Sequence, residues 1–135
     1  MTAVICIDNN SGMMFNHRRQ SRDSVVIQDV LSFADGKTVR IHTYSAPLFA
    51  QYPDSVCADD DYLSTAGEDD ICFIENADPA PYADRISRLV LYRWNRTYPA
   101  DRRMTLGLST YTLTETKEFA GSSHEKITRE VYVKC

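Results

Sequence analysis

Leu89-Val90-Leu91-Tyr92-Arg93-Trp94, Tyr111-Thr112-Leu113-Thr114-Glu115-Thr116-Lys117-Glu118-Phe119 and Ile127-Thr128-Arg129-Glu130-Val131-Tyr132-Val133, all within Arg88–Lys134, decide how this chain folds. The first run is too short for a buried helix and is rich in β-branched and aromatic residues, so it reads as a strand. The second alternates strictly, which places Tyr111, Leu113 and Phe119 on one face and Thr112, Thr114, Thr116 and Glu118 on the other. Ala120-Gly121-Ser122-Ser123 is a turn-forming cluster, and the third run alternates again. No helix-forming stretch separates the three, so they are expected to pair antiparallel. Their apolar face then needs a cover, which has to come from the N-terminal half.

That half alternates strand and helix signals. Ala3-Val4-Ile5-Cys6-Ile7 is apolar at every position, as a strand covered on both faces would be, and Asp8-Asn9-Asn10-Ser11-Gly12 stops it with turn formers. His17 to Asp23 is polar, with Ser21 placed to cap a helix. Val26, Ile27, Val30 and Leu31 recur at helical spacing until Asp35-Gly36. Thr38 to Tyr44 alternates like a strand, and Ser45-Ala46-Pro47 suits the start of a short helix. Asp59-Asp60-Asp61 before Tyr62-Leu63 reads as a solvated helix start, since the first turn favours negative charge; a metal site there would lack histidine. Ile71-Cys72-Phe73-Ile74 is a second fully apolar run, and a short helical stretch ends at Ile86. The pattern predicts an α/β layer around a largely parallel sheet that the antiparallel C-terminal strands extend.

Composition narrows the function. At 135 residues the chain has the length of one domain, residues 1–135, and a net charge of −4. Lys and Arg are spread along the sequence, so nucleic acid is not the expected partner. Cys6, Cys57, Cys72 and Cys135 lack the close pairing of a zinc or thiol-exchange site and read as reduced, buried thiols. The run Ala3–Ile7 is too short for a signal or a membrane span, so a soluble cytoplasmic protein without membrane contact is expected. His17, His42 and His124 show no ligand spacing, and no metal is expected. Ser122, Ser123 and His124 are too close in one turn to face each other as nucleophile and base. Trp94 reads as an anchor in its strand or part of an interface. An exposed Trp94 or an edge strand at Ile127–Val133 would support a homodimer over a monomer.

The order of these elements resembles dihydrofolate reductase from end to end, with one gap. Ala3–Asn16 is similar to that family's first strand and loop, Thr43-Tyr44 to the turn entering its cofactor-binding helix, and Tyr82–Asn95, Asp101 and Tyr111–Tyr132 to its last helix and strands. The resemblance implies a three-layer α/β fold with a mixed sheet, parallel at its centre and antiparallel at its C-terminal strands. It puts Asp23 where the family has its catalytic acid. The family also places two adjacent glycines after the fourth apolar strand, where the dinucleotide pyrophosphate approaches the backbone; this chain has Glu75-Asn76 there, a repulsive carboxylate and an unwanted Cβ. The family's Gly-Arg pair reads Arg40-Ile41, and the chain is shorter than the family between Tyr44 and Ile71.

Two functions follow as expectations. The first is a non-catalytic protein without cofactor that binds a protein partner or small ligand, through Arg18, Arg19 and Arg22 or around Thr43, Tyr44, Glu75 and Asn76. The resemblance extends to small proteins of Gram-positive mobile elements, which implies an accessory or host-modulating role. The second is a small NADPH-dependent reductase of a pterin-like substrate, with Asp23 as its acid. Asp23 also has a purely structural reading, as a carboxylate at a helix start. The Asn16–Asp23 loop also reads as simply solvated, and the acidic residues Asp59, Asp60, Asp61, Glu68, Asp69 and Asp70 form a second charged surface.

Overall fold

The computed structural model describes Met1 to Cys135. The apolar run at the N-terminus becomes β1 (Thr2–Ile7), which pairs in parallel with β6 (Ile71–Ile74) on one side and β7 (Arg88–Arg93) on the other. Both faces of β1 are covered, which is why it carries no polar alternation: Ala3, Ile5 and Ile7 enter one core and Val4 the other. Outward from β6 lie β4 (Val39–Ile41) and β5 (Val56–Ala58), both parallel. With β9 (Tyr111–Phe119) and β10 (Ile127–Lys134), the seven-stranded sheet has the order β5-β4-β6-β1-β7-β10-β9.

Helix α1 (Ser24–Ala34) buries Val26, Ile27, Val30 and Ala34 on one sheet face and stops at Asp35, a left-handed cap with φ 50°. Its N-cap is Asp23, whose carboxylate accepts from the Val25 and Val26 N–H groups; Ser21, the expected cap, lies two residues too early. A 3-10 helix, Thr43–Phe49, completes this layer and is capped by the His42 ring rather than by Ser45. The opposite face is covered almost without helix, by Met13, Met14, Tyr62, Leu63, Met104 and Leu106, with a 3-10 turn at Ala80–Arg85 alongside.

Several expectations need correction. The three C-terminal strands are antiparallel, but β7 and β9 do not touch, because β10 is inserted between them. That leaves β9 as the edge strand, not Ile127–Val133. Tyr111 and Phe119 do not share a face. The register with β10 shifts between Val131 and Tyr132, where Glu115 and Leu113 are their partners, and this bulge sends Tyr111 into one core and Phe119 against the other. Asp59-Asp60-Asp61 starts no helix: the Ser64 and Thr65 hydroxyls both bond the Asp61 carbonyl, which competes with helical continuation. Of the cysteines, Cys57 and Cys135 are exposed, because they sit on the short edge strand and the chain end. Trp94 is buried and offers nothing to an interface. No helix is long and apolar enough to cross a membrane.

A second, small sheet sits where β1 ends. Its strands are β2 (Gly12–Phe15), β3 (Arg18–Arg19) and β8 (Arg102–Arg103), in the order β3-β2-β8. Asn16 and His17, with φ 51° and 61°, make the tight turn between β2 and β3. Gly12 is required: a Cβ there would come within 2.5 Å of Gln20 Nε2 and 2.8 Å of Ala100 Cβ.

Candidate functional site

In open α/β sheets ligands collect outside the carboxyl ends of the parallel strands. Two carboxylates, Asp23 and Glu75, stand in that region, and their surroundings decide what it can do.

Asp23 is shared by two distant parts of the chain. One oxygen accepts from Val25 N (3.0 Å), Val26 N (3.4 Å), Ser122 N (2.8 Å) and Ser122 Oγ (3.0 Å). The other accepts from Ser123 N (2.8 Å) and pairs with His124 Nδ1 (3.0 Å). The side chains of Asp23 and His124 are 0% and 1% exposed. Burial works against ionisation of Asp23, but the Ser122 and Ser123 N–H groups, His124 and the Ser122 hydroxyl outweigh it and hold the carboxyl well below the ordinary range. The turn read in the sequence as a simple connection is therefore a clamp on the start of α1. Gly121 is part of it, since a Cβ at that position would run into the Asp23 carboxylate.

With Nδ1–H directed at Asp23, His124 Nε2 is left to accept. Two hydroxyls reach it, Tyr98 at 2.9 Å and Ser21 at 3.3 Å, while the ring lies stacked on Trp94 with centroids 4.6 Å apart. The Ser21–His124–Asp23 order is that of an activated serine, but Tyr98 is closer to the same lone pair. The cavity beside Ser21, lined also by Arg19, Glu75 and Trp94, is about 20 Å³, room for about one water.

Glu75 follows β6 directly. Arg19 Nε and Nη2 donate to its two oxygens at 2.9 and 3.1 Å, and Ser45 Oγ donates at 2.7 Å. The Arg19 guanidinium lies 4.7 Å from the centroid of the Tyr44 ring, and the Arg19 N–H donates to the Tyr44 hydroxyl at 2.9 Å. A bidentate, stacked pair of this kind joins β3, the 3-10 helix and the end of β6 across the crevice. Its side chains are only 21% and 10% exposed.

Of the residues singled out from sequence, Arg19, Tyr44 and Glu75 thus come together, with Ser45 as an unforeseen fourth. Thr43 is turned away and donates to Asp60 at 2.7 Å, so part of the acidic surface is internal turn chemistry. The Asn76 side-chain oxygen is buried without a protein partner, at the edge of a groove of about 460 Å³ with Met14, His17 and Arg102. Arg18 is exposed, and Arg22 lines both the cavity beside Arg19 and Glu75 and an adjoining hollow of about 210 Å³ between α1 and the 3-10 helix. No three His, Cys, Asp or Glu side chains converge as metal ligands.

No family model and no curated protein matches this sequence. Among solved structures, the chain is similar to the dihydrofolate reductase of Enterococcus faecalis, solved in complex with NADP(H) and RAB-propyl. The TM-score is 0.64 over 98% of this chain and 95% of that one. The chain has the dihydrofolate reductase fold. Sequence identity is 10%, so the likeness speaks for architecture alone.

Proposed function

We propose that this protein is a non-catalytic member of the dihydrofolate reductase fold that acts by binding a protein partner or a small ligand, in an accessory or host-modulating role. The observation that carries this reading is the Arg19–Glu75 pair. A dinucleotide pyrophosphate needs bare backbone and N–H donors at the end of the fourth apolar strand. This chain has there a carboxylate, already held by an arginine that fills the crevice, and Asn76 with its Cβ. NADPH does not fit these residues.

Asp23 points the same way. Its oxygens accept six hydrogen bonds from the protein, which leaves no lone pair in a favourable direction for a pterin. The low pKa of its carboxyl is also the reverse of what a proton donor at neutral pH requires.

The rival reading, a small NADPH-dependent reductase with Asp23 as acid, draws on the fold alone. Calorimetric titration with NADPH and with dihydrofolate, together with an assay of NADPH oxidation, separates the two. The expected result is no saturable heat and no turnover. Saturable NADPH binding with turnover that disappears in Asp23→Asn would establish the reductase instead.

A further inference from the structure

At the carboxyl ends of β4, β5 and β6 the chain leaves a hollow of about 270 Å³, walled by His42, Asp60, Asp61, Tyr62, Asn76 and Tyr82. It lies across Asn76 from the groove that holds Met14 and Arg102. Two carboxylates line it, and no lysine or arginine does.

The charge of those carboxylates is not cancelled within the protein. Asp60 Oδ1 accepts from Thr43 N, Thr43 Oγ1 and His42 Nε2, which leaves its second oxygen free. Asp61 bonds its neighbours through its backbone N–H and carbonyl, and its side chain is exposed. His42 Nδ1 accepts from Tyr44 N at 3.0 Å, so the ring carries its proton on Nε2 and adds no positive charge. The nearest guanidinium groups are occupied elsewhere: Arg40 is paired with Asp70, and Arg85 donates to the Leu63, Ser64 and Ala66 carbonyls.

Two polar groups of the wall also lack partners. Tyr62 is 2% exposed, yet its hydroxyl makes no hydrogen bond, and the buried Asn76 side-chain oxygen makes none either. Burial, then the nearby Cys72, Glu75 and Tyr82 groups, push the Tyr62 phenol up, which keeps its proton in place and puts the hydroxyl on the side where Asn76 and Tyr82 wall the hollow. The Tyr62 ring meets His42 edge-on, with centroids 6.1 Å apart. The terminal torsion of an asparagine is broad, so the Asn76 oxygen can turn into the hollow. Unpaired buried polar atoms are costly, and a bound donor relieves that cost.

We propose that this hollow binds a single organic cation, an alkylammonium or guanidinium group, with its charge at Asp60 and Asp61, its donors toward Tyr62 and Asn76, and its alkyl stem along Tyr82. The proposal rests on the binding reading above, for which it names the ligand's chemistry. Such groups combine several N–H donors with a charge that carboxylates and aromatic faces both attract. A phosphate or carboxylate ligand is repelled by the same two aspartates. A metal ion lacks ligands, since no three His, Cys, Asp or Glu side chains converge. Beyond Asn76 the adjoining groove carries His17 and Arg102, which limits the ligand to one cationic group.

The test is a titration of the full chain, labelled with nitrogen-15, with butylammonium, butylguanidinium and butyrate. Saturable amide shifts at Asp61, Tyr62, Asn76 and Ala77 are expected with the cations and not with butyrate. Asp60→Asn with Asp61→Asn should weaken cation binding by about tenfold or more, and Asp61→Asn alone by about threefold, as partly exposed ion pairs do. Tyr62→Phe, which removes only the hydroxyl, should cost roughly two- to tenfold. Glu68→Gln with Asp69→Asn removes the same charge from a separate hollow beside Met1 and should leave binding within about twofold. An otherwise uncharged peptide with one central arginine is the last arm: binding tighter than butylguanidinium assigns the cation to a partner's side chain, and weaker binding assigns it to a free amine or guanidine.

Thermal midpoints check the folding of each variant. Should the double variant lose its turn at Thr43, Asp61→Asn still decides, because that carboxylate holds no other part of the chain. No saturable shift with either cation, equal binding of butyrate, or binding insensitive to Asp61→Asn would each overturn the proposal. NADPH titration of the same preparation reports separately on the binding reading itself.

Discussion

Arg18 and Arg19 are neighbours in the chain, yet they belong to two regions that treat charge in opposite ways. In the crevice at the strand ends, Arg19 is stacked on Tyr44 and gripped by Glu75, and Asp23 nearby has every lone-pair direction used. On the small sheet, Arg18 and the arginines of β8 are exposed and pair with no carboxylate. A polar group satisfied inside the protein contributes to stability and has little left for a ligand. One left unsatisfied at the surface contributes little to stability and is free for recognition. The comparison therefore predicts that mutations in the crevice are felt in folding and that mutations of these exposed arginines are not.

The largest effect is expected at Asp23. Asp23→Ala strands the Ser122 and Ser123 N–H groups and His124 in a buried site, and urea unfolding should show a loss of roughly 3–5 kcal/mol. A loss below about 1 kcal/mol would mean that the clamp adds little to folding. Gly121→Ala should come next, at roughly 1–3 kcal/mol, because the new Cβ pushes against the Asp23 carboxylate and the loop must move. Glu75→Gln keeps the shape of the crevice pair but removes its charge, and should cost about 1–2 kcal/mol. Arg18→Ala should change stability by no more than about 0.5 kcal/mol, as exposed positions do. If Arg18→Ala proved as costly as Glu75→Gln, the contrast between the two regions would be lost.

The pH dependence sharpens the same contrast. The Asp23 and Asp8 carboxyls lie below their ordinary values in the folded protein. In both cases burial is outweighed by hydrogen bonds, from Ser122, Ser123 and His124 to Asp23 and from Tyr98, Gly12, Asn10 and Gln20 to Asp8. Their folded values are depressed, so the stabilisation is fully present above the unfolded carboxylate value of about 3.9 and is lost progressively as pH falls below it. Unfolding free energy measured down through that range should fall steeply in the native chain. In Asp23→Asn the fall should be shallower, and an identical slope would contradict the assignment of the depressed value to Asp23.

Much of this architecture could be read from the residues because it rests on local signals. β1 and β6 are apolar throughout since both of their faces are covered, and α1 shows its buried stripe at helical spacing. What escaped depends on contacts far apart in sequence. The insertion of β10 between β7 and β9 is a matter of pairing partners, and the bulge beside Leu113 and Glu115 reverses a face that strict alternation would have kept.

The site divides in the same way. That a carboxylate, Glu75, directly follows the apolar run Ile71–Ile74 is visible in the sequence, but its partner Arg19 lies 56 residues earlier. His124 stands beside Ser122 and Ser123 in the sequence, whereas its carboxylate partner is 101 residues away in Asp23. The arginines of β8 carry no pattern of their own in the sequence; only the pairing of β2 with β8 brings them beside Gly12 and Met14.

If the Arg19–Glu75 pair occupies the place a dinucleotide would need, the thermal midpoint of the protein does not move in excess NADPH. A ligand at about a hundred times its dissociation constant stabilises by about 2.7 kcal/mol, which in a chain of this length is a rise of several degrees. With the pair in place, the native protein should show an unchanged midpoint. A rise of several degrees there would show that the crevice opens to the cofactor, and the pair would then be a gate and not a seal.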